Sequence, residues 1–328
     1  MSDSDPQAPP VIIDDKSPIC IPFILSQLRE HRAAASDPSR PDAEKKPFII
    51  GLNGVQGVGK TTLVRALAAA LRRDEGLETL VCSIDDFYLR RADQEALARA
   101  HPDNQLVQVR GEPGTHDVPL LRSFFASLCA GEPTRVPSYD KSLHGGRGDR
   151  APASGWAAVN GPGQPRVRVV IFEGWCVGFR AVGADEVLAR WRDANAEVEV
   201  EEGKGNGKKE SPRSSTLRRH RPEHLAFVNE ALRAYDGAVT DLLDAFIHVD
   251  AEDLSWVYDW RLEQEVALRR EKGAGMTDDE VVAFVDAYFP AYELFTDKLR
   301  AGLFPGRPGR HLRLVVGKDR KVKQKIII

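Results

Sequence analysis

Short, continuous apolar runs alternate with amphipathic stretches along most of the chain. Phe48-Ile49-Ile50-Gly51-Leu52 is the first run, with the length and apolarity of a strand buried on both faces of a parallel sheet. Runs of the same kind fall at 79–84, 167–172, 245–249 and 311–316. Between them, apolar residues recur at helical spacing over 61–73, 118–130, 223–243, 254–271 and 278–299. Parallel strands need helix-length connections to return to the same end of a sheet. The expected fold is therefore α/β: an open, mainly parallel five-stranded sheet flanked by helices.

The flanks read differently. Residues 1–16 are rich in Pro and Asp, Ile21-Pro22-Phe23-Ile24-Leu25 with Leu28 predicts a short amphipathic helix to about Ala35, and 36–47 reads as a linker. Residues 1–46 are thus expected to form an N-terminal arm, and 47–328 one α/β domain. Near 198–221 an acidic run gives way to Gly-Lys-Gly-Asn-Gly-Lys-Lys and then to Ser and Arg. So few apolar groups predict a flexible insertion. The basic end, 318–325 before Ile326-Ile327-Ile328, fits a last strand with a charged edge better than a nucleic-acid tail, because edge lysines deter pairing.

Composition narrows the class without naming a chemistry. Of the 328 residues 42% are hydrophobic and 29% charged, which suits a globular chain rather than a disordered or membrane-embedded one. Lys and Arg number 46 against 49 Asp and Glu, a formal charge of −3. No global electrostatic case exists for nucleic acid or an anionic membrane as partner. Cys20, Cys82, Cys129 and Cys176 form no CxxC pair, which speaks against zinc and for a reducing compartment. With an acidic start at Met1-Ser2-Asp3, unlike a signal peptide, a cytoplasmic location is expected, with access to the nucleus left open.

Chemistry enters where the first strand ends. Gly54, Val55, Gln56, Gly57, Val58, Gly59, Lys60 and Thr61 satisfy GxxxxGK[ST], between a predicted strand and a predicted helix as the motif requires. Backbone amides there can cradle phosphates, Lys60 supplies a mobile cation, Thr61 opens the helix and offers a hydroxyl to Mg2+, and Thr62 completes the expected nucleotide-binding set. After the second run come Asp85, Asp86 and Tyr88. Asp85 is the expected proton acceptor, while capping of the next turn is an equal prospect for one of the pair. Glu173 follows the third run, where an acidic group would complete the magnesium site. A guanine-reading Asn-Lys-x-Asp is missing, Gly317-Lys318-Asp319 coming nearest, so ATP is preferred to GTP.

These motifs, taken with Arg-Gly-Glu-Pro-Gly-Thr-His-Asp at 110–117, Pro-Ser-Tyr-Asp-Lys-Ser at 137–142, Gly-Gly-Arg-Gly-Asp-Arg at 145–150, Phe-Glu-Gly-Trp at 172–175 and Trp-Arg-Leu-Glu-Gln-Glu at 260–265, resemble the P-loop small-molecule kinases. That group includes uridine kinase, phosphoribulokinase and pantothenate kinase. Plant-type D-glycerate 3-kinase and fungal ATP-dependent kinases are the nearest in pattern, over about 46–303. The resemblance implies Asp85 as general base, an acceptor pocket lined by Tyr88, His116 and Asp117, and Arg261 and Arg269 as lid arginines approaching the transferred phosphate, Arg261 being the first choice and Arg270 and Lys272 competitors for that role. Local readings remain for two of these: His116 as a loop histidine bonded to nearby backbone, and Asp117 as a helix cap. Tyr139, Lys141, Arg147 and Arg150 suit recognition of a small anionic acceptor. The implied reaction is transfer of the γ-phosphate of ATP to a hydroxyl, D-glycerate being the first choice of acceptor and a nucleoside, pantothenate-like alcohol or sugar the alternatives. A nucleotide-controlled interaction protein is the alternative outside that class, and the oligomeric state stays open.

Overall fold

The computed structural model describes residues 14–35, 46–202, 215–273 and 275–328. At its centre is a six-stranded sheet built from β1 (Phe48–Gly54), β2 (Thr79–Ser83), β7 (Val169–Gly174), β8 (Ala245–Ala251), β9 (His311–Val316) and β10 (Val322–Ile327), in the order β10-β9-β8-β1-β7-β2. The first five are parallel, and β10 pairs antiparallel with β9. The five expected strands are thus joined by a sixth, the basic C-terminal segment. It lies at the sheet edge with Lys323 and Lys325 exposed, where the ammonium groups discourage further pairing. Every residue of β1 and β8 is buried, which explains their unbroken apolarity.

Helices cover both faces. α2 (Lys60–Glu75), α4 (Val118–Ala130), α6 (Pro222–Asp236), α7 (Trp256–Lys272), α8 (Asp278–Asp286) and α9 (Phe289–Arg300) carry the amphipathic patterns. The stretch 278–299, expected as one helix, is two. Pro290 has no N–H to donate and its ring crowds the preceding turn, so the helix stops at Asp286 and restarts at Phe289. Likewise α6 ends at Asp236 before Gly237, and a short 3-10 turn, Thr240–Leu242, leads into β8. α3 (Arg91–Ala100) and α5 (Ala184–Glu202) were not legible. α3 buries no residue, so no apolar stripe announces it.

The N-terminal helix α1 (Ser17–Ala35) is longer than the short helix expected from Ile21. Asp14 Oδ1 accepts from the N–H groups of Lys16 (3.3 Å) and Ser17 (3.0 Å), which starts it earlier. Cys20, Phe23, Ile24 and Leu28 are buried in the common core, and the fully buried Ile24 alone is worth about 1.5–3 kcal/mol. Of the insertion expected at 198–221, residues 198–202 extend α5, whereas Leu217 is buried and Thr216 donates from its N–H to Glu293 Oε2 (3.1 Å). Residues 203–214 lie outside the described residues. Two small antiparallel pairs, β3 (Thr134–Val136) with β6 (Ala157–Val159) and, between them in the chain, the hairpin of β4 (Tyr139–Asp140) with β5 (Asp149–Arg150), sit between α4 and β7. Among the described residues no helix is long and apolar enough to cross a membrane.

Candidate active site

Registry aligns the carboxyl ends of three strands: Leu52 faces Glu173, which faces Ser83. The segments leaving these strands therefore gather at one edge, where open α/β sheets bind ligands. The buried Asn53 braces that edge by donating from Nδ2 to the carbonyls of Trp175 (3.0 Å) and Val177 (2.8 Å).

After β1 the chain turns through the glycine-rich loop into α2. Gly57 and Gly59 stand at φ 83° and 98°, a left-handed region that favours glycine. Gly57 also lies so close to α7 that a Cβ would come within 2.5 Å of the Trp260 Cβ. Gln56 Oε1 accepts from Tyr292 Oη at 2.5 Å, fixing the loop's outer side. Lys60 folds back and donates from Nζ to the carbonyls of Gly54 (2.7 Å) and Val55 (3.3 Å). Burial lowers its pKa, while the neighbouring carboxylates of Glu173 and Asp85 oppose that shift. Lys60, Glu173 and Asp85 are thus within electrostatic reach of one another.

The adjacent aspartates divide their work. Both lie in a 3-10 turn, Ile84–Phe87, capped by Ser83, whose Oγ accepts from the Asp85 N–H at 3.3 Å. Asp86 Oδ1 accepts from the Tyr139 N–H at 3.3 Å and anchors the β4 hairpin, and burial raises its pKa. Asp85 instead accepts from Lys141 Nζ through Oδ2, and its Oδ1 is buried with no protein partner. Burial alone would raise the Asp85 pKa, but the ammonium groups of Lys141 and Lys60 outweigh it and hold the carboxyl below its usual range. The site therefore presents an ionised carboxylate beside the phosphate loop.

The segment 110–117 runs beside this turn. An isolated antiparallel bridge joins Tyr88 to His116, and their rings stack at 4.4 Å. His116 is buried, lies 2.7 Å through Nδ1 from Tyr235 Oη, and is driven by burial down to a pKa of about 4. It is neutral at pH 7, and its Nε2 has no partner. Asp117 caps α4 by accepting from the Leu120 N–H (2.9 Å) and pairs through Oδ2 with Arg150 Nη1 (2.9 Å). Arg150 also donates from Nη2 to Tyr88 O (2.8 Å), so both arms of its fork are held by protein and only Nε lacks a partner.

The remaining sequence candidates lie around this centre. Thr61 and Thr62 are exposed at the start of α2. Tyr139 meets Tyr88 edge-on at 5.5 Å. Arg147 is exposed on the glycine-rich loop, and its carbonyl and that of Gly146 accept from Arg110 Nη1. Arg261 pairs with Glu265 at 2.7 Å and lies 4.7 Å over the Phe284 ring. Its chain neighbour Trp260 is the residue packed on Gly57. Arg269 is engaged by Asp278 at 2.7 Å and Arg270 is exposed.

Several residues of the site escaped sequence reasoning. Arg110 and Glu112 stood inside a recognised motif without a role, and Glu112 is buried with its pKa raised well above the usual carboxyl range by burial. Tyr235, Tyr288 and Arg320 carried no local signal, because only tertiary contact brings Tyr235 to His116, the Tyr288 ring against Gly111 and Arg320 to the Gly57 carbonyl. Among the described residues no group of three or more His, Cys, Asp or Glu side chains forms a metal cage. The oxygen donors present, Thr61 and Glu173, fit a hard cation that keeps its waters and shares substrate phosphates.

No protein-family model matches the chain. It is 37% identical over 264 residues to the "Uncharacterized kinase mug58" of Schizosaccharomyces pombe, covering 79% of this chain and 85% of that protein. It is 35% identical over 279 residues to "D-glycerate 3-kinase, chloroplastic" of Arabidopsis thaliana, covering 84% of this chain and 53% of that protein. The solved structure of D-glycerate 3-kinase from Cryptococcus neoformans var. grubii superposes with a TM-score of 0.83 at 32% identity, over 96% of this chain and all of that one.

Proposed function

The chain belongs to the family of D-glycerate 3-kinases and related P-loop small-molecule kinases, and from that premise we propose that it phosphorylates D-glycerate with ATP. The observation that carries the reading is the convergence of Lys60, Asp85 and Glu173 at one sheet edge, under a loop that brings Lys141 onto Asp85.

In this reading residues 47–328 are the kinase domain, acting in the cytoplasm. Loop amides from Gly54 to Thr62 hold the triphosphate, and Lys60 leaves the carbonyls of Gly54 and Val55 to meet the outer phosphates. Asp85, kept ionised by the cations around it, takes the proton of the acceptor hydroxyl as that oxygen bonds to the γ-phosphorus and the bond to the ADP oxygen breaks. Thr61 and Glu173 would hold Mg2+, which neutralises charge on the phosphate oxygens when bound. Arg261 offsets charge on the transferred group after release from Glu265.

The acceptor pocket favours a small acid. Lys141 is a cation exposed enough to meet a carboxylate, and Arg147 extends the positive edge. Tyr88 and Tyr139 wall the space, while His116, Asp117 and Arg150 hold that wall in shape. Mass-spectrometric detection of product in an acceptor screen with D-glycerate, nucleosides, pantothenate and sugars tests the reading. Phosphoglycerate is the expected product. Its absence while another alcohol is phosphorylated would remove glycerate and leave the kinase class.

A further inference from the structure

The C-terminal hairpin reaches the phosphate-binding loop through one side chain. β9 and β10 are joined by a turn in which Gly317 N–H donates to Lys321 O (3.0 Å) and Arg320 N–H to Gly317 O (2.8 Å). Arg320 occupies that turn at φ 62°, a conformation that costs any residue with a Cβ and that glycine adopts freely. A strained backbone persists only where its surroundings hold it, and such positions gather at functional sites. Here the side chain supplies the reason.

The Arg320 side chain is only 10% exposed. Nε donates to the Gly57 carbonyl at 2.8 Å, Nη2 donates to Glu263 Oε2 at 2.6 Å, and the guanidinium lies 5.2 Å over the Trp260 ring. Trp260 donates from Nε1 to Lys318 O at 2.8 Å and packs on the bare Cα of Gly57. Loop, α7 and hairpin tip therefore meet at one point. From the far side Lys16 Nζ donates to Arg320 O (2.6 Å), and Asp15 Oδ2 accepts from the Val322 N–H (2.7 Å), so the segment before α1 braces the same turn.

We propose that Arg320 is a positioning residue for phosphoryl transfer: by gripping the Gly57 carbonyl and Glu263 at once, it sets the phosphate-binding loop against the helix that carries Arg261. A loop that binds anions with its amides works only while its carbonyls face elsewhere. Gly57 has the conformational freedom to flip a peptide plane, and Arg320 fixes that plane by its oxygen. A planar guanidinium makes two directed bonds and stacks on an indole together, whereas an ammonium makes point contacts from a flexible stem. The bridge to Glu263, whose side chain is 48% exposed, adds little to stability on its own. Its effect is to tie α7 to the loop. The proposal rests on the kinase reading but not on which acceptor is used.

Full-length Arg320→Gly, Arg320→Lys and Glu263→Gln test it through thermal midpoint, KM for ATP, KM for acceptor, kcat, and ATP affinity by calorimetry. Glycine relieves the strained φ while deleting the grip, so Arg320→Gly should raise the ATP KM and lower kcat by roughly tenfold or more, about 1.4 kcal/mol in each. The acceptor KM should hold. Arg320→Lys should recover part of the ATP KM, and Glu263→Gln should lower kcat more than it raises the ATP KM. Arg320→Gly that folds and keeps wild-type ATP affinity and kcat overturns the proposal. Should Arg320→Gly fail to fold, an unchanged kcat in Glu263→Gln overturns it instead. Wild-type protein with no affinity for ATP would defeat the kinase reading itself, a separate result.

Discussion

Lys141 donates a hydrogen bond from Nζ to Asp85 Oδ2, so the carboxylate assigned as base is paired with a cation from the glycine-rich loop before any acceptor arrives. Burial pushes the Asp85 pKa up and Lys141 leads the groups that bring it down. A base is active when deprotonated, so lowering its pKa extends activity to lower pH. Lys141→Met should therefore move the acid limb of kcat/KM to higher pH and raise the acceptor KM. Asp85→Asn, which cannot take a proton, should cost on the order of 10²-fold or more in kcat with ATP affinity kept. Asp86→Asn should cost far less, since its oxygen serves the Tyr139 N–H. The pH–rate profiles of the three variants decide the matter, and a loss confined to Asp86→Asn would reverse the assignment.

Lys60 is held by two carbonyls of its own loop, bonds that the proposed contact with the outer phosphates would have to replace. Lys60→Met keeps the stem and removes the charge. The variant should unfold at a midpoint close to wild type and lose on the order of 10²-fold or more in kcat, the scale for deleting one preorganised donor to a developing charge. Single-turnover phosphotransfer by the purified variant at a wild-type rate would contradict the role.

Much of this arrangement was legible in the sequence, for identifiable reasons. Strands buried on both faces carry their signal within five or six residues, so β1 and β9 were recognised within two residues of their ends. The phosphate loop announces itself because glycine, lysine and threonine are each needed at fixed spacing. The capping role of Asp117 could be read from its place before Val118-Pro119. Its pairing with Arg150, 33 positions later by number, could not, because the β4–β5 hairpin creates that contact. Arg320 was hidden for the same reason. In the sequence it is one cation among many in a basic tail, and only the hairpin turn places it on Gly57.

Gly57 and Gly76 share a left-handed backbone but differ in surroundings. A Cβ on Gly57, at φ 83°, would lie 2.5 Å from the Trp260 Cβ and 3.1 Å from its carbonyl carbon, whereas one on Gly76, at φ 62°, would meet nothing within 4 Å. Gly76→Ala should cost only the backbone strain, about 1 kcal/mol. Gly57→Ala adds overpacking against α7 worth a further 1–3 kcal/mol or so, and shifts the loop that holds phosphate. Denaturant melts should separate the two variants, and ATP affinity should fall only for Gly57→Ala. Equal stability losses would show that α7 yields easily.

His248 and His311 lie buried on neighbouring strands, 6.0 Å apart between ring centres, with Asp250, Arg300 and Arg313 beside them. Burial drives the His248 pKa to about 4 and that of His311 to about 3, against 6.5 for the free side chain. Both His311 ring nitrogens lack a partner, so a proton gained there brings no compensating bond. Between these values and 6.5 the unfolded chain binds more protons than the folded one, and stability therefore rises with pH across that window. A tenfold difference in proton affinity between the two states corresponds to about 1.4 kcal/mol. Asp250 acts in the same direction lower down: the cations and His248 outweigh its burial and depress its pKa, so its contribution is lost as pH falls through the folded value. The unfolding midpoint should drop steadily from pH 6.5 toward 4. His311→Leu removes one titrating group and should flatten that slope, giving a smaller difference between midpoints at pH 7 and pH 5 than wild type shows. An unchanged difference would mean that His311 is already solvated enough to protonate without opening the fold.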